Sequence, residues 1–119
     1  MHKIQIKPLS VNQAHRTVRG RILKSSAYRQ YEKDLMMMLP SKKIPEGKIQ
    51  LYLEAGLSSK LADIDNIAKP TIDILQKKYD FNDRMIYRLL LEKEIVKKGD
   101  EYISFRISEY IDLINGRLE

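Results

Sequence analysis

The sequence predicts an α+β fold, with one small domain over residues 1–119 in which two main helices pack on a mixed β-sheet. Segments in which apolar and polar residues alternate predict the strands. Segments with apolar residues three and four positions apart predict the helices, and proline or glycine separates the two kinds of segment. With 119 residues, the chain has the length of a single domain.

The first strand is predicted over residues 2–7, where the alternation ends at a proline. The first main helix is predicted from Ser25 or Ser26, either of which can cap it, to Leu39, because Pro40 cannot continue it. The later predicted elements are a strand at 48–57, a helix at 66–78 with Pro70 early in it, a strand at 84–96, a hairpin turn at 97–100, a return strand at 101–108 and a short C-terminal helix at 109–118.

The net charge of +6 is unevenly distributed along the chain. Residues 1–50 carry 11 Lys and Arg against 3 Asp and Glu, a net charge of +8, whereas residues 51–119 carry 11 against 13, a net charge of −2. A basic half beside an acidic cluster indicates a polyanionic partner, and nucleic acid is the polyanion this pattern favours.

The composition also excludes several classes of protein. The chain has no cysteine, so it forms no disulfide and no thiolate metal site, which is typical of the reducing cytoplasm. No apolar run approaches the ~20 residues that a membrane helix needs. The first eight residues do not show a signal peptide. We therefore expect a cytoplasmic protein, in a bacterial, archaeal or phage-infected cell, that does not bind a membrane.

Residues 8–24 form a polar, basic segment with little apolar material to bury, and Arg19-Gly20 predicts a turn at the tip of a loose hairpin. Its cationic side chains suit contacts with phosphates, which set affinity and register rather than sequence choice. A solvated loop is the alternative interpretation. The candidate DNA-binding residues are Arg16, Arg19, Arg21, Lys24 and Arg29.

The candidate catalytic residues lie between residues 63 and 83. Asp63 and Asp65 flank one residue just before the second main helix, and Asp83 follows that helix and a turn, so the three carboxylates can converge. At ~5 Å and an effective dielectric constant near 20, each pair would repel by roughly 3 kcal/mol. Such a group needs a cation, and the hard cation suited to an all-oxygen site is Mg²⁺, or Mn²⁺ in its place.

Lys69 follows Asp65 by four residues and so lies on the same face of the helix. A metal ion and an ammonium group together suit a phosphate, because the ion polarises a phosphoryl oxygen and the ammonium neutralises developing charge. Asn66 can donate a hydrogen bond to a phosphate or orient a carboxylate. Spacing alone leaves a structural alternative open, with Asp65 as helix cap and partner of Lys69, and Asp73 facing Lys77.

The chain resembles the RusA family of Holliday junction resolvases over essentially its whole length. The run from Asp63 to Lys69, Asp-Ile-Asp-Asn-Ile-Ala-Lys, with Asp73 after it, is similar to that family's Asp-x-Asp-Asn-x-x-Lys-x-x-x-Asp pattern. Residues 82–86, Asn-Asp-Arg-Met-Ile, resemble the family's next block. Residues 8–12, Pro-Leu-Ser-Val-Asn, resemble its N-terminal signature.

This resemblance implies a RusA-like crossover junction endodeoxyribonuclease that makes paired symmetric nicks in four-way DNA junctions during recombination and repair. It implies a homodimer, which accords with the two-fold symmetry of a junction; such small resolvases are often carried by prophages. The implied site has Asp63, Asp65 and Asp83 as Mg²⁺-binding catalytic carboxylates, Lys69 as the catalytic lysine, and Asn66 and Asp73 as supporting residues. The chain departs from the family at Asn82, where an acid is often found, and Asp80 is the residue that could compensate.

Two other classes of function stay open at this point. A non-catalytic junction-binding or DNA-binding module would bind junctions without releasing nicked product. A related nuclease would cut flaps or other branched nucleic acids as fast as it cuts junctions. A panel of labelled substrates, incubated with Mg²⁺ or Mn²⁺, distinguishes the three.

Overall fold

A computed structural model describes residues 2–113 of the chain. Its elements are β1 (His2–Ile4), α1 (Val11–Ala14), β2 (His15–Val18), β3 (Arg21–Lys24), α2 (Ser26–Met38), β4 (Ile49–Leu57), α3 (Ile64–Tyr79), a 3₁₀ turn (Asp83–Met85), β5 (Ile86–Ile95) and β6 (Tyr102–Glu109). The predicted α+β class is confirmed, and within residues 2–113 no helix has the length and apolarity needed to cross a membrane.

The main sheet has four strands in the order β1-β6-β4-β5, and β2 and β3 form a separate hairpin. Strands β4 and β5 are parallel, whereas β6 is antiparallel to both β4 and β1, so the sheet is mixed as predicted. Helix α3 is the crossover that joins the two parallel strands. A crossover of this kind must carry the chain back along the full length of the sheet.

The predicted hairpin between β5 and β6 is wrong. Residues 97–100 do reverse the chain, but β6 pairs with β4 on its other side, and in the described part of the chain β5 and β6 do not pair. The N–H of Val96 donates to the carbonyl of Leu57 at 2.8 Å, which marks the point where the chain crosses the end of β4. Turn residues indicate where a chain reverses, but the burial of β4 and β6 decides which strands become neighbours.

The hydrophobic core lies between one face of the sheet and the helices α2 and α3. Strand β4 contributes Ile49, Leu51 and Leu53, which are almost completely buried. The two helices are joined inside the core by a hydrogen bond of 2.7 Å that Tyr31 shares with Thr71. For the predicted C-terminal helix, residues 110–113 contain no helix, and residues 114–118 lie outside the described residues.

Gly56 on β4 lies directly against the ring of Tyr102 on β6, and a Cβ at this position would overlap that ring. The ring has little freedom to move, because its hydroxyl bonds to the carboxylates of Glu54 at 2.8 Å and Glu94 at 2.7 Å. We expect Gly56→Ala to lower the free energy of unfolding by about 1–3 kcal/mol through this overlap. Denaturant unfolding followed by circular dichroism measures the change.

The matched control for this prediction is the same substitution in a Tyr102→Ala background. With the ring removed, Gly56→Ala should cost much less, and the difference between the two costs is the coupling energy of the pair. An equal cost in both backgrounds would contradict the overlap as the cause.

Candidate active site

Helix α3 presents two acidic side chains at its N-terminus. Asp63 is the N-cap residue but makes no side-chain capping bond, and Asp65 lies in the first turn. Both are exposed, and within residues 2–113 neither carboxylate has a hydrogen-bond or ion-pair partner. Their negative charges are favourable near the positive end of the helix dipole. The structural alternative, in which Asp65 caps the helix and pairs with Lys69, is therefore not what the structure shows.

Lys69 pairs instead with Asp73, four residues later, with 2.9 Å between Nζ and Oδ1. The hydrogen bond to Asp73 raises the pKa of Lys69. Partial burial lowers this pKa, but the negative charges of Asp73 and Asp83 raise it further, so the overall shift is upward. Asp73, to which the sequence assigned no definite role, is thus the residue that holds the Lys69 ammonium in place.

Gln76 connects this pair to Asp83. Its side-chain nitrogen lies 3.4 Å from Oδ1 of Asp73, and its side-chain oxygen accepts the backbone N–H of Asp83 at 2.9 Å. Sequence reasoning missed Gln76, although its position three residues after Asp73 places it on the same helix face. Lys69, Asp73, Gln76 and Asp83 therefore form one polar group that extends from the middle of α3 to the turn after it.

The structure does not bring Asp83 to Asp63 and Asp65 within one copy of the chain. Gln76, whose side chain accepts the backbone N–H of Asp83, lies 11 residues after Asp65 on α3, which at a rise of ~1.5 Å per residue is about 16 Å along the helix axis. Because α3 joins parallel strands, Asp63 follows the end of β4 whereas Asp83 precedes the start of β5. Among residues 2–113, no three Asp, Glu, His or Cys side chains are placed to hold a metal ion. The role of Asp63, Asp65 and Asp83 as ligands of one metal ion stays a prediction.

Pro70 lies deeper in the helix than predicted, because α3 begins at Ile64 and makes Pro70 its seventh residue. Proline has no N–H, so it cannot donate to the carbonyl of Asn66 four residues earlier. The carbonyl of the half-buried Asn66 therefore lacks the usual helical hydrogen bond from the residue four positions later.

A cavity of about 460 Å³ opens beside the N-terminus of α3. It brings the N-terminal segment, more than fifty residues away in sequence, against the acidic motif. Its polar lining includes Lys7, Ser10, Asn12, Gln13, Asp63 and Asn66. The cavity therefore combines one cation and several amide and hydroxyl groups with the carboxylates of Asp63 and Glu101. The cation, amides and hydroxyls are groups that can contact a sugar-phosphate backbone.

The basic segment forms the β2–β3 hairpin, and its predicted turn is confirmed at Arg19-Gly20, where both residues have positive φ, 51° and 75°. Seven of the eight strand residues are exposed, as the hairpin's burial pattern shows. The candidate DNA-binding residues Arg16, Arg19, Arg21 and Lys24 are exposed on this hairpin, and Arg29 is exposed on α2.

Glu32 on α2 ties the hairpin to α3. Its two carboxylate oxygens lie 3.3 Å from the ammonium groups of Lys24 on the hairpin and Lys77 on α3. Burial works against the charged form, yet the hydrogen bonds from both lysines lower the pKa of Glu32 overall. Lys24 also lies over the ring of Tyr28, 4.9 Å from its centre. Burial raises the pKa of Tyr28 to about 12, with smaller contributions from the charges of Asp73 and Glu32.

These features define a small α+β domain that presents cations and carboxylates along one helix, which suits a protein that acts on a polyanion. The family model for endodeoxyribonuclease RusA matches residues 5–106. The chain therefore belongs to the RusA family of endodeoxyribonucleases, a family of the Holliday junction resolvase type that acts on branched DNA. A comparison with curated proteins gives no match.

Replacing Asp73 by Asn should lower the pKa of Lys69, because the charged hydrogen bond that raises it is lost. The side-chain Cε and Hε resonances of Lys69, followed by NMR as the pH is raised, report the change. The effect on stability should be at most about 0.5 kcal/mol, because the pair is exposed. Asp80→Asn is the control, and an unchanged Lys69 titration in Asp73→Asn would contradict the assignment.

Proposed function

We propose that this protein is a metal-dependent endodeoxyribonuclease that resolves four-way DNA junctions by paired symmetric nicks, acting as a homodimer in DNA recombination and repair in the cytoplasm. Membership of the RusA family carries this proposal. The exposed carboxylates and the paired lysine on α3, beside a basic hairpin, support it. The alternatives of a non-catalytic module or a flap nuclease have no separate observation in their favour.

The donor atoms at the ends of α3 fit a hard divalent ion. Asp63, Asp65 and Asp83 are exposed and offer carboxylate oxygens, the ligands that Mg²⁺ and Mn²⁺ prefer. When bound, the ion would polarise a phosphoryl oxygen and lower the pKa of a bound water. Binding all three carboxylates needs a second copy of the chain or a rearrangement, since α3 keeps Asp83 away from the other two.

Lys69 acts as a positive charge in this proposal and not as a base. Its raised pKa keeps the ammonium protonated at neutral pH, and Asp73 fixes its position on α3. A fixed ammonium can stabilise the negative charge that develops on a phosphoryl or leaving-group oxygen. Asn66 would donate a hydrogen bond to the same substrate phosphate.

The basic hairpin would bind the phosphate backbone beside the cleavage site. The bridge from Lys24 through Glu32 to Lys77 holds the base of the hairpin against α3. The exposed arginines at its tip could then contact a strand that leaves the site. Contacts of this kind read the shape of a junction and not its base sequence.

Asp65→Asn should reduce cleavage of a synthetic four-way junction in Mg²⁺ by at least ~10²-fold, because a charged metal ligand is lost. Junction binding should persist, because the hairpin cations remain. Gel assays of nicking and of binding measure the two properties on the same substrate. Asp100→Asn, at an exposed position in the 97–100 turn, is the control with the same chemical change, and cleavage at the wild-type rate by Asp65→Asn would rule out the proposed mechanism.

Arg21→Ala should weaken junction binding and make it less sensitive to salt. Each phosphate contact adds ~0.9 to the slope of log K against log salt concentration, so the slope should fall by about 1. Binding is measured by fluorescence anisotropy without divalent ions at several salt concentrations. Lys98→Ala, which removes an exposed cation from the 97–100 turn, should leave the slope unchanged. Equal slopes for Arg21→Ala and wild type would show that the hairpin does not contact phosphates.

A further inference from the structure

Aromatic rings and cationic side chains alternate at the end of the sheet where β4 and β5 begin and β6 ends. The ammonium of Lys48 lies over the ring of Tyr87, 4.9 Å from its centre. The ring of Tyr87 contacts that of Tyr110, with 5.5 Å between their centres. The guanidinium of Arg88 lies over the ring of Tyr110, also at 4.9 Å. These four residues form a continuous group, which we call the aromatic cluster, and its Tyr87 is 53% exposed.

Arg88 is held in place by the protein and keeps donors for a ligand. Its Nη1 group donates to the side chain of Gln50 at 2.8 Å and to the carbonyl of Ile111 at 2.7 Å. Its Nη2 group has no hydrogen-bond partner within residues 2–113, and none of the ion pairs found there involves Arg88. A guanidinium that is already oriented loses less side-chain freedom when it binds a phosphate, and its fork of donors matches the phosphate oxygens.

The aromatic cluster adjoins a cavity of about 310 Å³ on the face of the sheet that the helices do not cover. The polar lining of this cavity consists of Gln50, Tyr52, Arg88, Arg106 and Ser108, and it includes no Asp or Glu from the described part of the chain. Arg106 on β6 is exposed and forms none of the ion pairs found among residues 2–113. Two guanidinium groups at one cavity, without a carboxylate in its lining, favour an anionic ligand.

Acidic side chains of the same face lie further along the strands, away from the aromatic cluster. Glu54 and Glu92 are directly opposite each other on β4 and β5, and Glu94 follows two residues later. The hydroxyl of Tyr52 donates to Glu92 at 3.0 Å, which marks the side of the cavity where negative charge begins. An anionic ligand is therefore favoured between the cavity and the aromatic cluster, and it is repelled by the acidic end of the face.

This combination of groups suits an unpaired nucleic-acid strand. The bases of such a strand stack on exposed aromatic rings, and its phosphates bind the cations beside them. In a duplex the bases stack on one another, so a duplex would use the cations but not the ring of Tyr87. The basic hairpin differs in this respect, because residues 15–24 contain no Tyr, Phe or Trp. An acidic peptide can pair with the same cations, but its carboxylates gain nothing from the ring.

We propose that the aromatic cluster and the adjoining cavity bind an unpaired DNA strand, with a base on the ring of Tyr87 and phosphates on Arg88 and Arg106. The inference rests on the proposed function for its substrate, because a branched DNA has bases that can unstack at its branch point. Asp83 lies four residues before Tyr87 in the sequence and at the same end of the sheet. The surface therefore holds an unpaired strand on the side of the domain that carries Asp83.

Binding of a fluorescein-labelled oligothymidylate, which forms no base pairs, tests the surface. Fluorescence anisotropy with the full chain, without divalent ions, gives the Kd at several salt concentrations. Tyr87→Ala should raise the Kd by roughly tenfold through the loss of one stacked base, and Tyr87→Phe, which keeps the ring, should bind like wild type. Arg106→Ala should reduce the slope of log K against log salt concentration by about 0.7, the contribution of one phosphate in a single strand. Lys98→Ala, in the 97–100 turn, should leave the Kd and the slope unchanged.

Circular dichroism checks that each variant is folded. A wild-type protein that does not bind oligothymidylate, or a folded Tyr87→Ala with the wild-type Kd, would overturn the proposal. Tyr87→Phe that binds as weakly as Tyr87→Ala would also overturn it, because the aromatic ring would then not be the group that binds.

Two further ligands identify the partner. A DNA duplex should be bound with the same Kd by wild type and by Tyr87→Ala, because its paired bases do not reach the ring. An oligoglutamate of the same charge should bind more weakly than oligothymidylate and should not respond to Tyr87→Ala. An equal loss of duplex binding in Tyr87→Ala would contradict recognition of an unpaired strand. Oligoglutamate that binds as tightly as oligothymidylate would assign the surface to an acidic protein partner instead.

The binding measurement and the cleavage assay fail separately. A protein that binds oligothymidylate through Tyr87 but cuts no junction in Mg²⁺ would contradict the proposed function and leave the single-strand surface standing. A protein that cuts junctions while Tyr87→Ala binds oligothymidylate like wild type would contradict the single-strand surface alone.

Discussion

The crossover between two parallel strands is the constraint on which the rest of this structure depends. A helix that joins parallel neighbours must run the length of the sheet, because the next strand begins at the opposite end from where the last one finished. In this chain the helix is α3, and the candidate catalytic residues lie along it and just beyond its ends. The acidic motif is therefore divided, with Asp63 and Asp65 at one end of the sheet and Asp83 at the other.

The polar groups on α3 are linked by ion pairs and hydrogen bonds, some of them within the helix and others to neighbouring elements. Lys69 forms an ion pair with Asp73, and Gln76 connects this pair to the backbone of Asp83. Glu32 on α2 forms ion pairs with Lys24 and Lys77. By contrast, Asp63 and Asp65 have no such partner within residues 2–113. Exposed carboxylates without protein partners stabilise the fold only through the helix dipole, so their placement favours a role toward a ligand.

Local structure was largely predictable from the sequence, because it depends on neighbouring residues. The cap at Ser25, the turn at Arg19-Gly20 and the bounds of β4 follow from side-chain chemistry and alternation within a few positions. The neighbours of β5 and β6 were not predictable in this way. Which strand takes the centre of a sheet depends on burial summed over the whole domain, and a turn sequence such as residues 97–100 contains no information about it.

The difference between local sequence and the arrangement of the whole domain also explains which part of the site was predicted. Residue types and family pattern identify Asp63, Asp65, Lys69 and Asp83 as candidates, but their distances depend on topology. The i to i+4 rule applies equally to Asp65–Lys69 and to Lys69–Asp73, and only the structure shows that the lysine bonds to the later residue. Gln76 was missed because an amide between two acids has no recognisable sequence signal of its own.

The division of the acidic motif and the open edge of β5 are two results of one topology. A parallel β4–α3–β5 unit at the margin of a sheet leaves β5 with one free edge, and it also sends the carboxylates to opposite ends of that edge.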